Sequence, residues 1–398
     1  MPDATLKRRI GPGLLTAYGV GVMVGAGIYV LVGEVAGLSG IYAPVAFLLA
    51  GLVALPSALS YAELSVRMPE AAGEVAFVEA GTGLRWLGLI VGLAIVLSGT
   101  LSAAAVLRGG AGYLTSIVGI SPEMAIIAGG VLIATVAIVG VLESLAVAAV
   151  FTLAEVLGLA LVIWAGLGAD PVSVDWAAAP APYWPGIFAA VTLCFFAFIG
   201  FEDIVNLAEE TRDPDRTMPR AILWALAITA VLYAAVSYAA VRAVPIEALS
   251  SSQQPLALVW QVGTGNPAAF LSAIAVAAAV NGVLAQIVMA ARVLYGLGRR
   301  HGSLRVFSGV GARFGTPHLA TIQIGGGVIG AALVLPVGQL AGITSLVLLS
   351  VFVLVNLSLI LIKRRTPAAR FRVGAWVPVA GLLMALGALI LWLWGVLA

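Results

Sequence analysis

The stretch GVMVGAGIYVLVG, residues 21–33, places the triplet Gly25-Ala26-Gly27 inside an apolar segment that is long enough to cross a bilayer. A second apolar segment, FFAFIGFED at residues 195–203, carries Gly200 followed at Glu202 by two acidic residues. Each segment opens a block of five candidate membrane spans. Glycine-interrupted spans at matching positions of two halves are the best sequence indication of a transporter site at a repeat interface.

The composition of the chain excludes both a soluble domain and intrinsic disorder. The 398 residues are 62% hydrophobic and 10% charged, and the mean hydropathy is +1.12. Soluble domains carry about 25% charged residues. We therefore expect an all-α polytopic membrane protein with one transmembrane domain over residues 1–398. About one residue in eight is glycine, with 47 in total, so some glycines can serve helix packing while others interrupt helices.

Hydropathy predicts eleven spans, each of roughly 20 apolar residues. They cover residues 11–33, 43–64, 86–110, 122–141, 145–168, 184–207, 218–241, 267–296, 318–337, 342–362 and 374–397. With this count, 18 of the 20 basic residues fall on one side, and only Arg108 and Arg242 fall on the other. The positive-inside rule then predicts a multi-pass protein of the cell (inner) membrane, with a cytoplasmic N-terminus and an extracytoplasmic C-terminus.

The two interrupted spans indicate a binding site for a zwitterion. Where a helix unwinds in a membrane, its backbone groups lose their partners and must line a cavity. The N–H groups at residues 25–27 can hold a carboxylate at the positive end of the second half-helix. The carbonyls near Met23, Phe196 and Ile199 can accept hydrogen bonds from an ammonium group. The alternative is that these glycines only allow close helix packing.

Four stretches resemble one family of transporters. Residues 21–33, YAELSVRMPEAAGEVAFVEAGTG at 61–83, FFAFIGFEDIVNLAEETRDPDRTMPRAI at 195–222 and NGVLAQIVMAARVLYGLGR at 281–299 are similar to the amino acid–polyamine–organocation (APC) superfamily. Within it, the sequence looks most like bacterial amino acid permeases akin to the cationic amino acid transporter branch.

This resemblance implies a LeuT-like fold of five plus five helices with alternating access and amino acid substrates. The inverted repeats would cover residues 11–168 and 184–362, followed by an extra helix at 374–397. The resemblance also implies carboxylate binding at Gly25, Ala26 and Gly27 and amino-group binding at the carbonyls of Met23, Phe196 and Ile199, with Phe196 covering the substrate. Typical members have twelve spans and we count eleven. Because the last two of the twelve spans lie outside the repeats, we expect the substrate site to be intact without the twelfth span.

Glu155 lies in the middle of the fifth predicted span. A carboxylate at the bilayer centre costs about 2.5–3.5 kcal/mol, so its side chain should face the bundle interior. In an alignment with the family anchored on Gly140, Glu143 and Ser144, this position holds a lysine in proton-coupled relatives. Three roles remain open: a neutral, hydrogen-bonded structural group, a proton-coupling group, or a ligand of a cation site.

Other polar residues of the spans have weaker assignments. Glu202 follows the second break, where it can act in gating or coupling or can cap the second half-helix. Ser98, Asn281 and Gln286 can bridge helices or line the pocket. Glu34 and Glu63 lie at span ends and are expected to be boundary charges.

The sequence therefore predicts a secondary active transporter that takes up small or neutral amino acids with protons. The alternative is an amino acid exchanger without proton coupling, which could accept cationic amino acids because of Glu202. A channel could also use broken helices. An intramembrane enzyme would need catalytic groups in the spans, but His301 and His318 lie in a polar connection and no HExxH motif is present. We expect amino acid, proton and lipid bilayer as partners, with no metal, cofactor or nucleic acid, and the oligomeric state stays open.

Overall fold

The computed structural model describes residues 10–68, 73–140, 145–172, 181–311 and 314–397. Across these ranges the chain is helical apart from turns and one isolated bridge between Ile10 and Thr211. The α-helices of these ranges are α1 (Pro12–Val24), α2 (Ala26–Ser39), α3 (Ala43–Arg67), α4 (Gly73–Thr82), α5 (Arg85–Val118), α6 (Pro122–Val139), α7 (Leu145–Gly168), α8 (Trp184–Ala197), α9 (Pro214–Ala243), α10 (Ile246–Ser251), α11 (Pro255–Thr264), α12 (Ala269–Arg300), α13 (His318–Val334), α14 (Val337–Arg365) and α15 (Trp376–Leu397).

Each of the eleven predicted spans coincides with a helix or with a pair of helical segments. In the described ranges, seven helical stretches are long and apolar enough to cross a bilayer, and four shorter apolar helices accompany them. Two of those shorter helices, α1 and α8, are the first halves of the interrupted spans. The ends differ most at α5, which continues to Val118, and at α2, which continues to Ser39.

The helices of the two predicted halves pack against their counterparts. The second spans, α3 and α9, lie side by side, and so do the third spans, α5 and α12. The two interrupted spans also meet, through α2 and α8. The breaks therefore lie together inside the bundle, enclosed by α3, α5, α9 and α12.

Basic residues gather at one end of the bundle, which we call the basic end. Arg67, Arg300, Lys363 and Arg370 lie there, at the ends of helices or just beyond them, and each pairs with a carboxylate. The start of the described chain lies at this end too, since Ile10 N–H donates to the Glu210 carbonyl at 3.1 Å. Lys7, Arg8, Arg9 and Arg313 fall outside the described residues. Which side of the membrane the basic end faces stays a prediction.

The two arginines at the opposite end bind helix termini. Arg108 donates to the carbonyl of Ala332 at 2.6 Å, in the last turn of α13. Arg242 donates to the carbonyls of Gly166 at 2.9 Å and Ala169 at 2.7 Å, at the end of α7. Guanidinium groups at these positions satisfy orphan carbonyls and interact favourably with the negative end of the helix dipole.

The expectation that Glu63 is a boundary charge is wrong. Its side chain is fully buried, and the carboxylate pairs with Arg67 at 2.7 Å and with Lys363 at 2.5 Å. It also accepts the N–H of Val373 at 2.8 Å. The three donors come from α3, α14 and the segment before α15, so Glu63 ties three parts of the basic end together. Glu34, in contrast, is exposed.

Candidate functional site

The first break is confined to a single residue. Gly25 stands between α1 and α2 with φ −24° and ψ −165°, and its N–H still donates to the carbonyl of Gly21 at 3.1 Å. Because ψ is extended there, the helix does not continue through Gly25. The first N–H groups of α2, from Ala26 onward, therefore begin a new helix and have no acceptor in the preceding turn.

The second break is longer. After α8 ends at Ala197, residues 198–202 form turns, and a 3-10 helix follows over Asp203–Glu210. Gly200 has φ +125°, a conformation that residues with a Cβ rarely adopt. Its N–H donates to the Glu202 carboxylate at 2.9 Å, so Glu202 caps the break. The Phe196 carbonyl accepts the N–H of Ile199 at 3.2 Å, so one of its lone pairs is already used.

The two breaks are in direct contact, and glycine makes this possible. A Cβ on Gly200 would lie 2.6 Å from Val22 Cγ1 and 3.2 Å from the Met23 nitrogen. A Cβ on Gly27 would lie 3.4 Å from Ala197 Cα. Gly200 and Gly27 thus each present bare backbone to the opposite interrupted span.

Tyr233 on α9 bridges the breaks and was missed by the sequence reasoning. Its hydroxyl lies 2.5 Å from the Met23 carbonyl and 2.9 Å from the Ala197 carbonyl. A hydroxyl has one hydrogen, which these two acceptors share. The Met23 carbonyl, which is predicted to bind an ammonium group, retains its second lone pair. The only sequence signal was a tyrosine in an apolar span, whose hydroxyl needs a partner when buried.

Glu155 on α7 lies next to the first break. Its side chain is 1% exposed, so it faces the bundle interior. The carboxyl interacts electrostatically with the hydroxyls of Tyr29 and Tyr233, and the Tyr29 hydroxyl donates to the Glu155 carbonyl at 2.9 Å. One turn earlier, Thr152 packs directly against Gly21 of α1. The alignment anchors Glu143 and Ser144 lie outside the described residues.

A cavity of about 60 Å³ joins several of the other predicted residues. Ile199, Glu202, Ser98 and Gln286 line it, whereas Asn281 does not. Binding cavities for small molecules measure roughly 300–1,000 Å³, and one water molecule takes about 30 Å³ of liquid. This cavity is therefore too small to hold an amino acid in this conformation.

A much larger cleft, of about 860 Å³, lies at the basic end and away from the breaks. Its charged lining residues are Arg67, Asp213, Asp215, Arg216, Arg365 and Arg370. It contains none of the residues that the sequence places in the substrate site. Its position and its mixed charges separate it from the predicted zwitterion site.

Comparison with known proteins gives one family over nearly the whole chain. A family model described as amino acid permease matches residues 14–398. The branched-chain amino acid permease BcaP of Bacillus subtilis is 29% identical over 394 residues, and the alignment covers 92% of this chain and 83% of that protein. The vacuolar cationic amino acid transporter 2 of Arabidopsis thaliana is 31% identical over 393 residues.

The relatives differ in length and in what their names say they carry. The alignment with the Arabidopsis transporter covers 89% of this chain but 59% of that protein, so the chain spans less than two thirds of that relative. A methylthioribose transporter of Bacillus subtilis is 28% identical over 407 residues, covering 96% of this chain and 87% of that protein.

Proposed function

The chain belongs to the amino acid permease family, and we propose that it is a secondary active transporter that takes up small or neutral amino acids together with protons. The observation that carries this proposal is the contact between the two helix breaks, with Gly200 against Val22 and Met23. Unwound backbone is tolerated at membrane depth only where protein buries it or where it lines a cavity. A family of permeases is not a class of enzymes.

The substrate backbone would be held by main-chain groups at the breaks. The N–H groups of Ala26 and Gly27 open α2, where the helix dipole favours a carboxylate, whereas the Gly25 N–H already donates to the Gly21 carbonyl. The second lone pairs of the Met23 and Phe196 carbonyls and the carbonyl of Ile199 are candidate acceptors for the ammonium group. Phe196, which is 5% exposed, stands beside Gly27 and would cover the substrate.

The residues around the breaks favour a small or neutral side chain. Met23, Phe196 and Ile199 are apolar and buried, and no charged side chain belongs to residues 23–27. The branched-chain permease is consistent with this preference, whereas the methylthioribose transporter means that family membership alone does not select the substrate.

Glu155 is the proposed proton-coupling group for this transport. Its carboxyl is buried and lies within electrostatic reach of Tyr233, which contacts both breaks. A buried carboxyl gains or loses its charge when solvent access changes, so its protonation can follow the alternation of the site. In the same proposal, the basic end faces the cytoplasm and the two halves are inverted repeats, which the pairing of α3 with α9 and of α5 with α12 supports.

Proteoliposomes test this function. Labelled amino acids chosen by a thermal-shift screen of the twenty standard amino acids would be offered to empty vesicles under an inward proton gradient. We expect accumulation that disappears when the gradient is collapsed. A strict requirement for amino acid inside the vesicles would instead mean exchange, and single-channel currents would mean a channel.

Glu155→Gln separates the coupling role from a structural one. The variant removes the titratable group and keeps the shape of the side chain, so we expect folded protein whose uptake no longer responds to the proton gradient. Glu123→Gln, in the exposed first turn of α6, is the matched control. A Glu155→Gln protein that kept the full pH dependence would remove Glu155 from the mechanism.

A further inference from the structure

Three carboxyl groups meet on the side of the breaks that leads to the basic end. Glu74 on α4 and Glu202 at the second break are 8% and 5% exposed, and Asp203 is partly buried. All three line the cavity of about 60 Å³. The 3-10 helix that begins at Asp203 runs from this cavity to Glu210, which bonds to Ile10 at the basic end.

A buried hydroxyl is directed at these acids. Tyr61 on α3 is fully buried, and among the described residues its hydroxyl has no well-formed hydrogen bond, with the Glu74 carboxyl as the acceptor within its reach. Its strongest electrostatic neighbours are the carboxyls of Glu74 and Glu202, followed by Asp203. Because a buried hydroxyl without a partner is costly, this one indicates that the acid cluster holds something that can complete its hydrogen bonding.

Among the described residues, no positive side chain lines the cavity beside the three acids. The other residues lining the cavity are apolar or neutral, with Ser98 and Ser102 of α5 and Gln286 of α12 as the polar ones. From α14, the element that also packs on α4, the cavity receives Leu348. Three carboxylates cannot all stay ionised in so small a desolvated space, so at least one of them must bind a cation.

The bound cation is best taken as a proton. Within the described ranges, no three His, Cys, Asp or Glu side chains are arranged to hold a metal ion. Protons need no coordination shell, and neighbouring carboxyls share them readily, titrating as a group.

We propose that Glu74, Glu202 and Asp203 form a shared proton site between the helix breaks and the basic end, and that Glu74 exchanges this proton with the cytoplasm. This inference rests on the proposed proton coupling and adds a second protonation site beyond Glu155. Glu202 links the site to the break, since its carboxylate accepts the Gly200 N–H. Protonation in the cluster therefore acts on the capping of the second break.

The position of Glu74 suits proton exchange with the aqueous side. It lies on α4, a short helix between two spans, and not inside a span. Burial, with a smaller contribution from the charge of Asp203, raises the pKa of Glu74 to about 7. A group with this pKa can both accept and release a proton near neutral pH.

Glu74→Gln in proteoliposomes tests the site, with Glu79→Gln as the matched control. Glu79 lies on the same helix and pairs with Arg300 at 3.8 Å, outside the cavity. Uptake is measured while the pH on both sides is shifted together across neutrality, so that the pH difference across the membrane stays fixed. In the wild type we expect about a tenfold change per pH unit on the steep limb, as single-proton titration gives.

The expected result is a flattened profile in Glu74→Gln and a wild-type profile in Glu79→Gln. Glu74→Gln should also reduce proton-driven uptake more than it reduces exchange of internal for external amino acid. A wild-type profile in Glu74→Gln, with the wild type itself coupled to protons, would overturn the inference and leave the proposed function intact. A wild type without any proton dependence would overturn both.

Tyr61→Phe provides a second, independent measurement if Glu74→Gln does not fold. The Tyr61 hydroxyl favours the charged form of Glu74, so its removal should move the midpoint of the uptake profile to more alkaline pH. An unchanged midpoint would overturn the assignment of Glu74. If uptake were driven by a sodium gradient alone and were lost in Glu74→Gln, the assignment of the bound cation as a proton would be overturned in favour of a metal cation.

Discussion

The hydroxyl of Tyr233 lies 2.5 Å from the carbonyl of Met23, in the last turn before the first helix break. The same hydroxyl lies 2.9 Å from the carbonyl of Ala197, the last residue before the second break. One side chain of α9 thus holds two interrupted helices by their ends. Any movement of one break relative to the other must lengthen at least one of these hydrogen bonds.

Tyr233→Phe should weaken transport more than it weakens the fold. Two shared hydrogen bonds are lost and two buried carbonyls lose a donor, which predicts a destabilisation of about 1–3 kcal/mol. We expect a lower thermal unfolding temperature in detergent and a clear loss of uptake, because the breaks are no longer held together. Tyr238→Phe, on the exposed side of the same helix, should leave uptake near the wild-type level. Equal effects of the two changes would contradict a bridging role.

Gly200→Ala should abolish transport. The residue has φ +125°, and an added Cβ would lie 2.6 Å from Val22 Cγ1, so both the backbone and the contact between the breaks would be strained. A side chain in such a conformation costs about 1–3 kcal/mol. Gly326→Ala on α13 is the matched control, because a Cβ there meets nothing within 4 Å. Uptake and thermal unfolding would be measured on both, and normal uptake by Gly200→Ala would count against a working contact between the breaks.

The sequence predicted the architecture well because hydropathy and glycine placement are local signals. Membership of the amino acid permease family and the all-α membrane fold are confirmed. The breaks at Gly25 and Gly200 fall where the glycines predicted them. The substrate-binding roles of Met23, Phe196 and Ile199, and the coupling role of Glu155, stay predictions.

The partners of buried polar groups could not be predicted in the same way. Tyr233 and Met23 are 210 positions apart in the sequence. The proposed roles of Tyr61 and Glu74 depend on the cavity beside Glu202, which only the packed structure shows. Such contacts depend on how helices from different parts of the chain pack, and no spacing within one helix encodes them. The position of Glu63 at the end of a span did not indicate that its carboxylate is buried or which groups donate hydrogen bonds to it.

Glu63→Gln should destabilise the protein strongly. The change leaves Arg67 and Lys363 without their shared carboxylate, and breaking a buried ion pair on one side typically costs about 3–5 kcal/mol. We expect a large fall in the unfolding temperature and a low yield of folded protein. Asp215→Asn removes the partner of Arg370, whose side chain is 84% exposed, and should have little effect. The unfolding temperatures of the two variants would be compared with that of the wild type. Similar decreases in both variants would contradict a larger stabilisation by the buried ion pair.

The stability of the protein should fall as pH rises toward neutrality, in part through Glu74. The folded-state pKa of about 7 exceeds the ordinary value of 4.5, so between these pH values the folded state binds more protons than the unfolded state. The contribution of Glu74 to the free energy of unfolding is greatest below about pH 4.5. It falls by about 3 kcal/mol in all as the pH rises through 7. Unfolding temperatures recorded across this window should decline less steeply in Glu74→Gln than in the wild type. Parallel curves would contradict a raised pKa.

The carboxylate of Glu63 also sets an order for the assembly of the nascent chain. Lys363 and the N–H of Val373 follow it by 300 and 310 positions, whereas Arg67 lies one helical turn away. At synthesis rates of roughly 5–20 residues per second, the distant partners emerge about 15–60 s after Glu63. Throughout that interval, Arg67 is the one of these three partners of Glu63 that has already been synthesised. The end of α3 can therefore reach its final packing only after most of the polypeptide has been made, which places closure of the basic end late in biogenesis.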